Sequence, residues 1–326
     1  MSTPKAAVLL TNKKKVSIFY SIFTEREKPM KHYSSAIIGH VTLDTNTDHL
    51  DNTVDIVGGA VMYSSASAKA LGHTVAAITK VAPKDSSRLD CFLIPKEDIY
   101  CISSKKSTTM ANKYFTPDKE KRVCRCSEKG DPFTIDDIPE LDADIYHLAG
   151  LVYGDFNGEM MRVLSNKAPL AVDVQALLRH VNEEDGSMFF EDWSEKKELL
   201  PLITYLKTDA AEAEILTGLT DRFEAAKLLH SWGAKEVCIT HNTKVLAYDG
   251  RDFFTCPIRA RNLSGRTGRG DTTFAAYINE RLSHSIKDSL LTATATVSLK
   301  METPGPLDCT RGDIEAYISE FYKDCI

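Results

Sequence analysis

At 326 residues the chain has room for one large α/β domain, and its 43% apolar and 26% charged residues are the balance of a soluble globular protein. Forty basic against 46 acidic side chains leave a net charge of −6, which argues against nucleic acid or an anionic membrane as the main partner. The longest apolar runs fall short of a membrane span, and eight dispersed cysteines without a Cys-x-x-Cys pair fit a reducing, cytoplasmic setting.

Residues 1–29 read as a poorly ordered extension ahead of a single domain over 30–326. Lys13-Lys14-Lys15 precedes a short, interrupted apolar stretch with no cleavage site behind it, which is weak for a targeting peptide. The pattern then predicts a buried strand at 36–41 and a polar, β-tending stretch at 42–57. Gly58-Gly59 opens a small-residue helix over 60–71. Next come a strand at 75–79, a helix at 84–94, a strand at 98–102 and a hairpin over 107–126 that turns at Pro117-Asp118-Lys119. A loop at 132–138 leads to a strand at 144–149, a helix at 157–166 and a strand at 170–173. Residues 177–190 read as irregular.

A helix at 195–200 and a strand at 203–207 precede a helix over 209–216 that stops at Gly218. Asp221 caps a helix to Trp232. A strand at 235–240 is followed by a hairpin, 244–248 and 252–255, on Asp249-Gly250. Helices at 272–282, 286–300 and 311–322 complete the chain. Strands that alternate with helices predict a doubly wound, mostly parallel α/β sheet with helices on both faces, and ligands at the carboxyl ends of its strands. The β pieces at 42–57 and 107–127 lack helical partners and fit a small lid over that edge.

The segment from Gly265 to Asp271, Gly-Arg-Thr-Gly-Arg-Gly-Asp, carries the chemistry. Unpaired N–H groups at a helix N-terminus make an anion site, and Gly268 and Gly270 let the backbone approach it. Asp271 beside a bound phosphate is a poor ligand for it but a good base for an attacking hydroxyl. The alternative is an ordinary N-cap after a tight turn. There is no Walker P-loop and no Gly-x-Gly-x-x-Gly, which argues against those nucleotide-binding classes.

With Asp44, Gly58-Gly59 and Asp209-x-x-Glu212, this loop resembles the ribokinase-like (PfkB) family of sugar and nucleoside kinases over about residues 34–322. Gly39-His40-Val41, Asp44-x-Asn46, Asp173-x-Gln175 and Pro304-Gly305-Pro306 are similar to its myo-inositol kinase branch. The resemblance implies a ribokinase-like fold and ATP-dependent phosphorylation of a polyol or sugar. Asp271 matches the base, with Thr267, Gly268, Arg269 and Gly270 as the anion hole. Glu212 matches the organiser of Mg²⁺ and its waters. Asp44, Gly58 and Gly59 match the acceptor side, where Asn46, Asp173 and Gln175 suit paired hydroxyls and Asn112, on the lid hairpin, and Arg179 can reach the substrate; Asp209, Thr240, Arg266 and Thr267 fall on the nucleotide side.

Asp209 stands where the family has Asn; it can help hold Mg²⁺ or simply cap its helix. Thr240 can lie near the adenine or cap its own loop, and Arg179 can meet a phosphate or form a salt bridge. Gly265 replaces the Asp of a monovalent-cation site, so the resemblance carries no K⁺ requirement to this chain. Arg266 and Arg269 add two cations near the phosphates. Tyr63 stands where the family usually has Asn, which points away from ribose and adenosine. His147 reads as a core histidine. The partners expected are a small-molecule polyol or sugar and ATP, with the chain a monomer or a homodimer through the lid. The alternatives are a ribokinase- or fructokinase-like sugar or nucleoside kinase and an inactive sugar-binding module.

Overall fold

Short apolar runs buried on both faces build the centre of the protein. The computed structural model describes residues 31–116 and 122–325. Residues 1–29 and the turn at Pro117-Asp118-Lys119 lie outside the described residues. Among the described residues, nine strands form one sheet. Their order is Phe253–Pro257, Lys244–Tyr248, Glu236–Thr240, Tyr205–Asp209, Leu170–Asp173, Tyr146–Leu148, Ser35–Ile38, Val75–Val81 and Ile99–Ser103. From Glu236–Thr240 to Ile99–Ser103 every pair is parallel, and the hairpin adds an antiparallel edge. The inner strands Ser35–Ile38, Val75–Val81, Tyr146–Leu148 and Leu170–Asp173 are buried throughout, as parallel strands covered on both faces must be.

The chain steps outward from Ser35–Ile38 to Ile99–Ser103, then returns to Tyr146–Leu148 and steps the other way. The strand order therefore reverses between Ser35–Ile38 and Tyr146–Leu148. Such a switch point opens a crevice at the carboxyl ends of the strands.

Helix Ala60–Ala70 is rich in Ala and Ser and almost wholly buried. Small side chains let it lie close to helix Arg269–Glu280. Ser67 Oγ donates to the Thr272 carbonyl at 2.8 Å, and Ser64 Oγ reaches the Asp271 carbonyl at 3.4 Å. Helix Ile286–Lys300 begins at Ser285, whose side chain accepts from the Asp288 N–H. Arg311–Phe321 starts with a capping box between Thr310 and Asp313.

The lid is a four-stranded sheet in the order Thr53–Gly58, Thr42–Thr47, Thr109–Tyr114, Arg122–Glu128, in line with the expectation. Three expectations are corrected. The segment at 84–94 is a 3₁₀ helix, Pro83–Cys91, whose polar composition gives no continuous apolar stripe. Residues 177–190 are not irregular: helix Gln175–Leu178 leads into an antiparallel pair, Arg179–Val181 with Met188–Phe190, too short for its alternation to register. The helix expected from Thr272 starts at Arg269, with Gly268 as its N-cap, so Asp271 is in the first turn and is not the cap.

Gly59 precedes helix Ala60–Ala70 with φ 106° and ψ 145°, a conformation essentially closed to other residues. A Cβ there would lie 2.3 Å from the His40 carbonyl. Gly59→Ala is expected to lower unfolding free energy by about 3 kcal/mol. Chemical denaturation checks this, and an unchanged midpoint contradicts it.

Candidate active site

At the crevice lies a cavity of about 640 Å³, roofed by the lid and floored by the carboxyl ends of the central strands. Gly268 adopts a left-handed conformation with φ 79°, which turns the chain into helix Arg269–Glu280. A Cβ on Gly268 would meet the Tyr63 ring at 2.3 Å, so the loop rests directly on that ring. The N–H groups of the first helical turn have no intrahelical acceptor and carry the positive end of the helix dipole. Arg266, Thr267, Gly268, Arg269, Gly270 and Asp271 all line the cavity.

Lys207 sits behind this loop, buried in strand Tyr205–Asp209. Its Nζ lies 3.0 Å from Asp173 Oδ2 and 3.7 Å from Glu212 Oε2. A Cβ on Gly270 would meet the same Nζ at 3.2 Å. Burial opposes the Lys207 charge, but Asp173, Glu212, Asp209 and Asp271 outweigh it and hold the ammonium protonated, above its ordinary pKa. Burial and the Asp173 charge push the Asp271 carboxyl up to about 6, against the pull of Lys207 and Arg179.

The opposite wall carries neutral and acidic hydrogen-bonding groups. Asp44 is buried, and its Oδ1 accepts from Thr42 Oγ1 at 2.7 Å. Burial raises its carboxyl, while the Thr42 bond and the charges of Arg122 and Arg88 lower it. Asn46 and Asn112 are register partners on adjacent lid strands, and Asn112 Nδ2 donates to Asn46 Oδ1 at 3.0 Å. Asn112 Oδ1 is buried without a partner. A buried acceptor on a cavity wall is a place for a water or a ligand hydroxyl to donate. Asp173, beside Lys207, lines the cavity together with Gln175 and the cationic Arg179, and Arg179 donates to Gln175 Oε1.

The cavity thus brings together the predicted residues, with two exceptions. Gly58 lies behind Asp44, where a Cβ would meet Asp44 Oδ2 at 2.9 Å. Glu212 lies behind the wall as well: it accepts from the Asp209 N–H at 2.8 Å while Asp209 Oδ1 accepts from the Glu212 N–H. Asp209 does cap its helix, and the residue also lines the cavity. Thr240 lines the cavity at the end of its strand. His147 is buried against the Phe274 ring. Lys207 and Lys300 also line the cavity and were not singled out by sequence; the available signal is a lysine inside an apolar strand or at a helix end.

The sequence matches the model of the pfkB family carbohydrate kinases over residues 36–311. It is 27% identical over 263 residues to the cytidine kinase of Thermococcus kodakarensis, covering 74% of this chain and 86% of that protein. Its structure is similar to that of a pyrophosphate-dependent kinase in the ribokinase family complexed with a pyrophosphate analog and myo-inositol. That match has a TM-score of 0.78 at 31% identity and covers 86% of this chain and 99% of the other. Arabidopsis thaliana ribokinase complexed with ribose and ATP shares the fold, with TM-score 0.71 at 16% identity over 88% of this chain and 99% of that one.

Carboxyl titration by ¹³C NMR is expected to give Asp271 a midpoint near 6. The protonated fraction therefore grows as pH falls through that value. Lys207→Met removes a cation that favours the carboxylate, so the midpoint should rise by about one unit or more. A wild-type midpoint near the ordinary carboxylate value of about 4 contradicts this electrostatic account.

Proposed function

Because this chain belongs to the pfkB family of carbohydrate kinases and is a phosphotransferase acting on a hydroxyl group, we propose that its acceptor is a small polyol, myo-inositol first, and that Asp271 is the general base. The observation that carries this reading is that one cavity holds Asp271, a wall of hydroxyl-matching groups and a glycine-rich anion loop. Asp44 and Asp173 can accept from adjacent hydroxyls, Arg179 can donate to them, and the amides of Asn46, Asn112 and Gln175 can do either. Asp271 takes the proton of the hydroxyl that attacks the donor phosphorus. The loop N–H groups hold the transferred phosphoryl, and Lys207, Arg266 and Arg269 offset its charge.

Asp209 suits Mg²⁺, which takes one or two carboxylates together with phosphates and water. Its carboxylate faces the donor side, and Glu212 fixes it from behind through the capping box. Bound there, Mg²⁺ would neutralise part of the donor's charge.

ATP is the donor expected from the family resemblance. Inorganic pyrophosphate is a second reading, favoured by Arg266 and Arg269. Arg269 Nη1 donates to Asn242 Oδ1 at 2.9 Å, which braces the loop beyond Thr240 where a base would enter. Two guanidiniums suit a compact polyanion better than a nucleoside. The myo-inositol-bound relative is itself pyrophosphate-dependent, which supports the same reading. The cytidine kinase relative supports a nucleoside acceptor as the competing choice.

Product formation followed by ³¹P NMR with each donor over myo-inositol, ribose, fructose and cytidine tests both choices. Myo-inositol should exceed the other acceptors by about tenfold or more in kcat/KM. Cytidine turning over fastest would move the acceptor to nucleosides. Arg269→Ala should cost about a hundredfold with pyrophosphate, if that is the donor, and little with ATP. No turnover on any acceptor, with polyol-induced thermal stabilisation intact, would favour a binding module.

A further inference from the structure

Lys300 is the last residue of helix Ile286–Lys300 and is fully buried. The other buried lysines pair with carboxylates: Lys80 with Asp137 at 2.7 Å and Lys207 with Asp173 at 3.0 Å. Lys300 differs. Its Nζ donates to the Gly265 carbonyl at 2.6 Å and lies 3.5 Å from the Thr303 carbonyl. The Tyr63 ring centroid is 5.3 Å away. Among the described residues, no carboxylate stands within ion-pair distance of it. Carbonyl oxygens and a ring face are the surroundings of a desolvated monovalent cation rather than of a salt bridge.

The bond joins two pieces that also meet through their backbones. The Gly265 N–H donates to the Met301 carbonyl at 2.8 Å, and Ser264 Oγ donates to the Glu302 carbonyl at 2.6 Å. A Cβ at position 265 would lie 1.7 Å from the Thr303 oxygen, so only glycine permits this approach. Gly265 leads directly into the anion loop, whose N-cap Gly268 rests on the same Tyr63 ring. The ammonium therefore locks the root of the loop to the end of helix Ile286–Lys300. Burial lowers the Lys300 pKa to about 8 and Asp271 holds it up, so the amine is largely charged at neutral pH.

We propose that Lys300 is a positioning residue that acts as a built-in monovalent cation, fixing the Gly265 carbonyl so that the 267–270 loop binds phosphate without K⁺ or NH₄⁺. The anion-binding test below does not depend on which acceptor the kinase uses, although the importance of the loop rests on the kinase reading.

The test is calorimetric binding of inorganic pyrophosphate, and separately of ATP, each with Mg²⁺. It is run in sodium, potassium, ammonium and tetramethylammonium chloride at equal ionic strength. Wild-type affinity for whichever anion binds should stay within roughly twofold across the salts, the small spread left by non-specific screening. Lys300→Ala leaves two buried carbonyls unpaired and should weaken binding about tenfold or more in tetramethylammonium. Potassium or ammonium, small enough to enter the vacated space, should restore much of that loss. Lys300→Met fills the space without a charge, so it should bind weakly in every salt. A purely structural lysine would give no cation-specific rescue. Wild-type binding that gains tenfold from potassium, or two variants that bind like wild type, would overturn the inference alone. If Lys300→Ala does not fold, the wild-type salt series and Lys300→Met still decide. Failure of the wild type to bind either anion in any salt would overturn both this inference and the kinase reading.

Discussion

A single buried ammonium, Lys207, makes the floor of the site possible. Asp173 and Asp209 end neighbouring strands, Glu212 and Asp271 lie in the first turns of two helices, and Lys207 stands among them. Removing one partner of a buried ion pair costs about 3–5 kcal/mol, because the remaining charge has no solvent to turn to. The contact follows from sheet register. Asp173 and Lys207 are paired residues on adjacent parallel strands, so their side chains emerge side by side on one face. The same register pairs Asp209 with Thr240 one strand further on. The sheet thus aligns Asp173, Lys207, Asp209 and Thr240 before any loop is considered.

Close backbone approach is the second constraint. Gly59 and Gly268 have positive φ, and Gly265 packs against a carbonyl that would collide with any side chain. Ser64 and Ser67 on helix Ala60–Ala70 bond the first-turn carbonyls of helix Arg269–Glu280. Those carbonyls belong to Asp271 and Thr272, so the seat of the proposed base is fixed by a neighbouring helix. The lid contributes its polar pair, Asn46 and Asn112, from strands held in parallel register.

Much of this was legible in the residues. Buried strands read as apolar runs, and helices that begin with a capping side chain read clearly, as at Asp221 and Asp209. Gly268 and Gly270 ahead of Asp271 marked the loop as a candidate anion site, whereas Gly265 read only as a departure from the family pattern. The start of its helix was misread, since Arg269-Gly270 is a poor helical opening that Gly268 makes possible from outside. The short pair after Leu178 was invisible because three-residue strands have too little alternation to detect. Lys207 and Lys300 escaped for another reason. A lone lysine in a strand or at a helix end looks solvated until three-dimensional packing encloses it. Glu212 read as an organiser of Mg²⁺, and its place in a capping box with Asp209, behind the cavity wall, showed only in three dimensions.

The proposed reaction turns on Asp271 taking a proton from an acceptor hydroxyl held beside the glycine loop. The most direct measurement is Asp271→Asn, with donor and acceptor binding followed by calorimetry and single-turnover phosphorylation followed by quenched flow. The account predicts that both ligands still bind within roughly a fewfold of wild type, while the phosphorylation rate falls by about a hundredfold to ten-thousandfold, the range of general-base catalysis. A variant that binds both ligands and phosphorylates at the wild-type rate would contradict it.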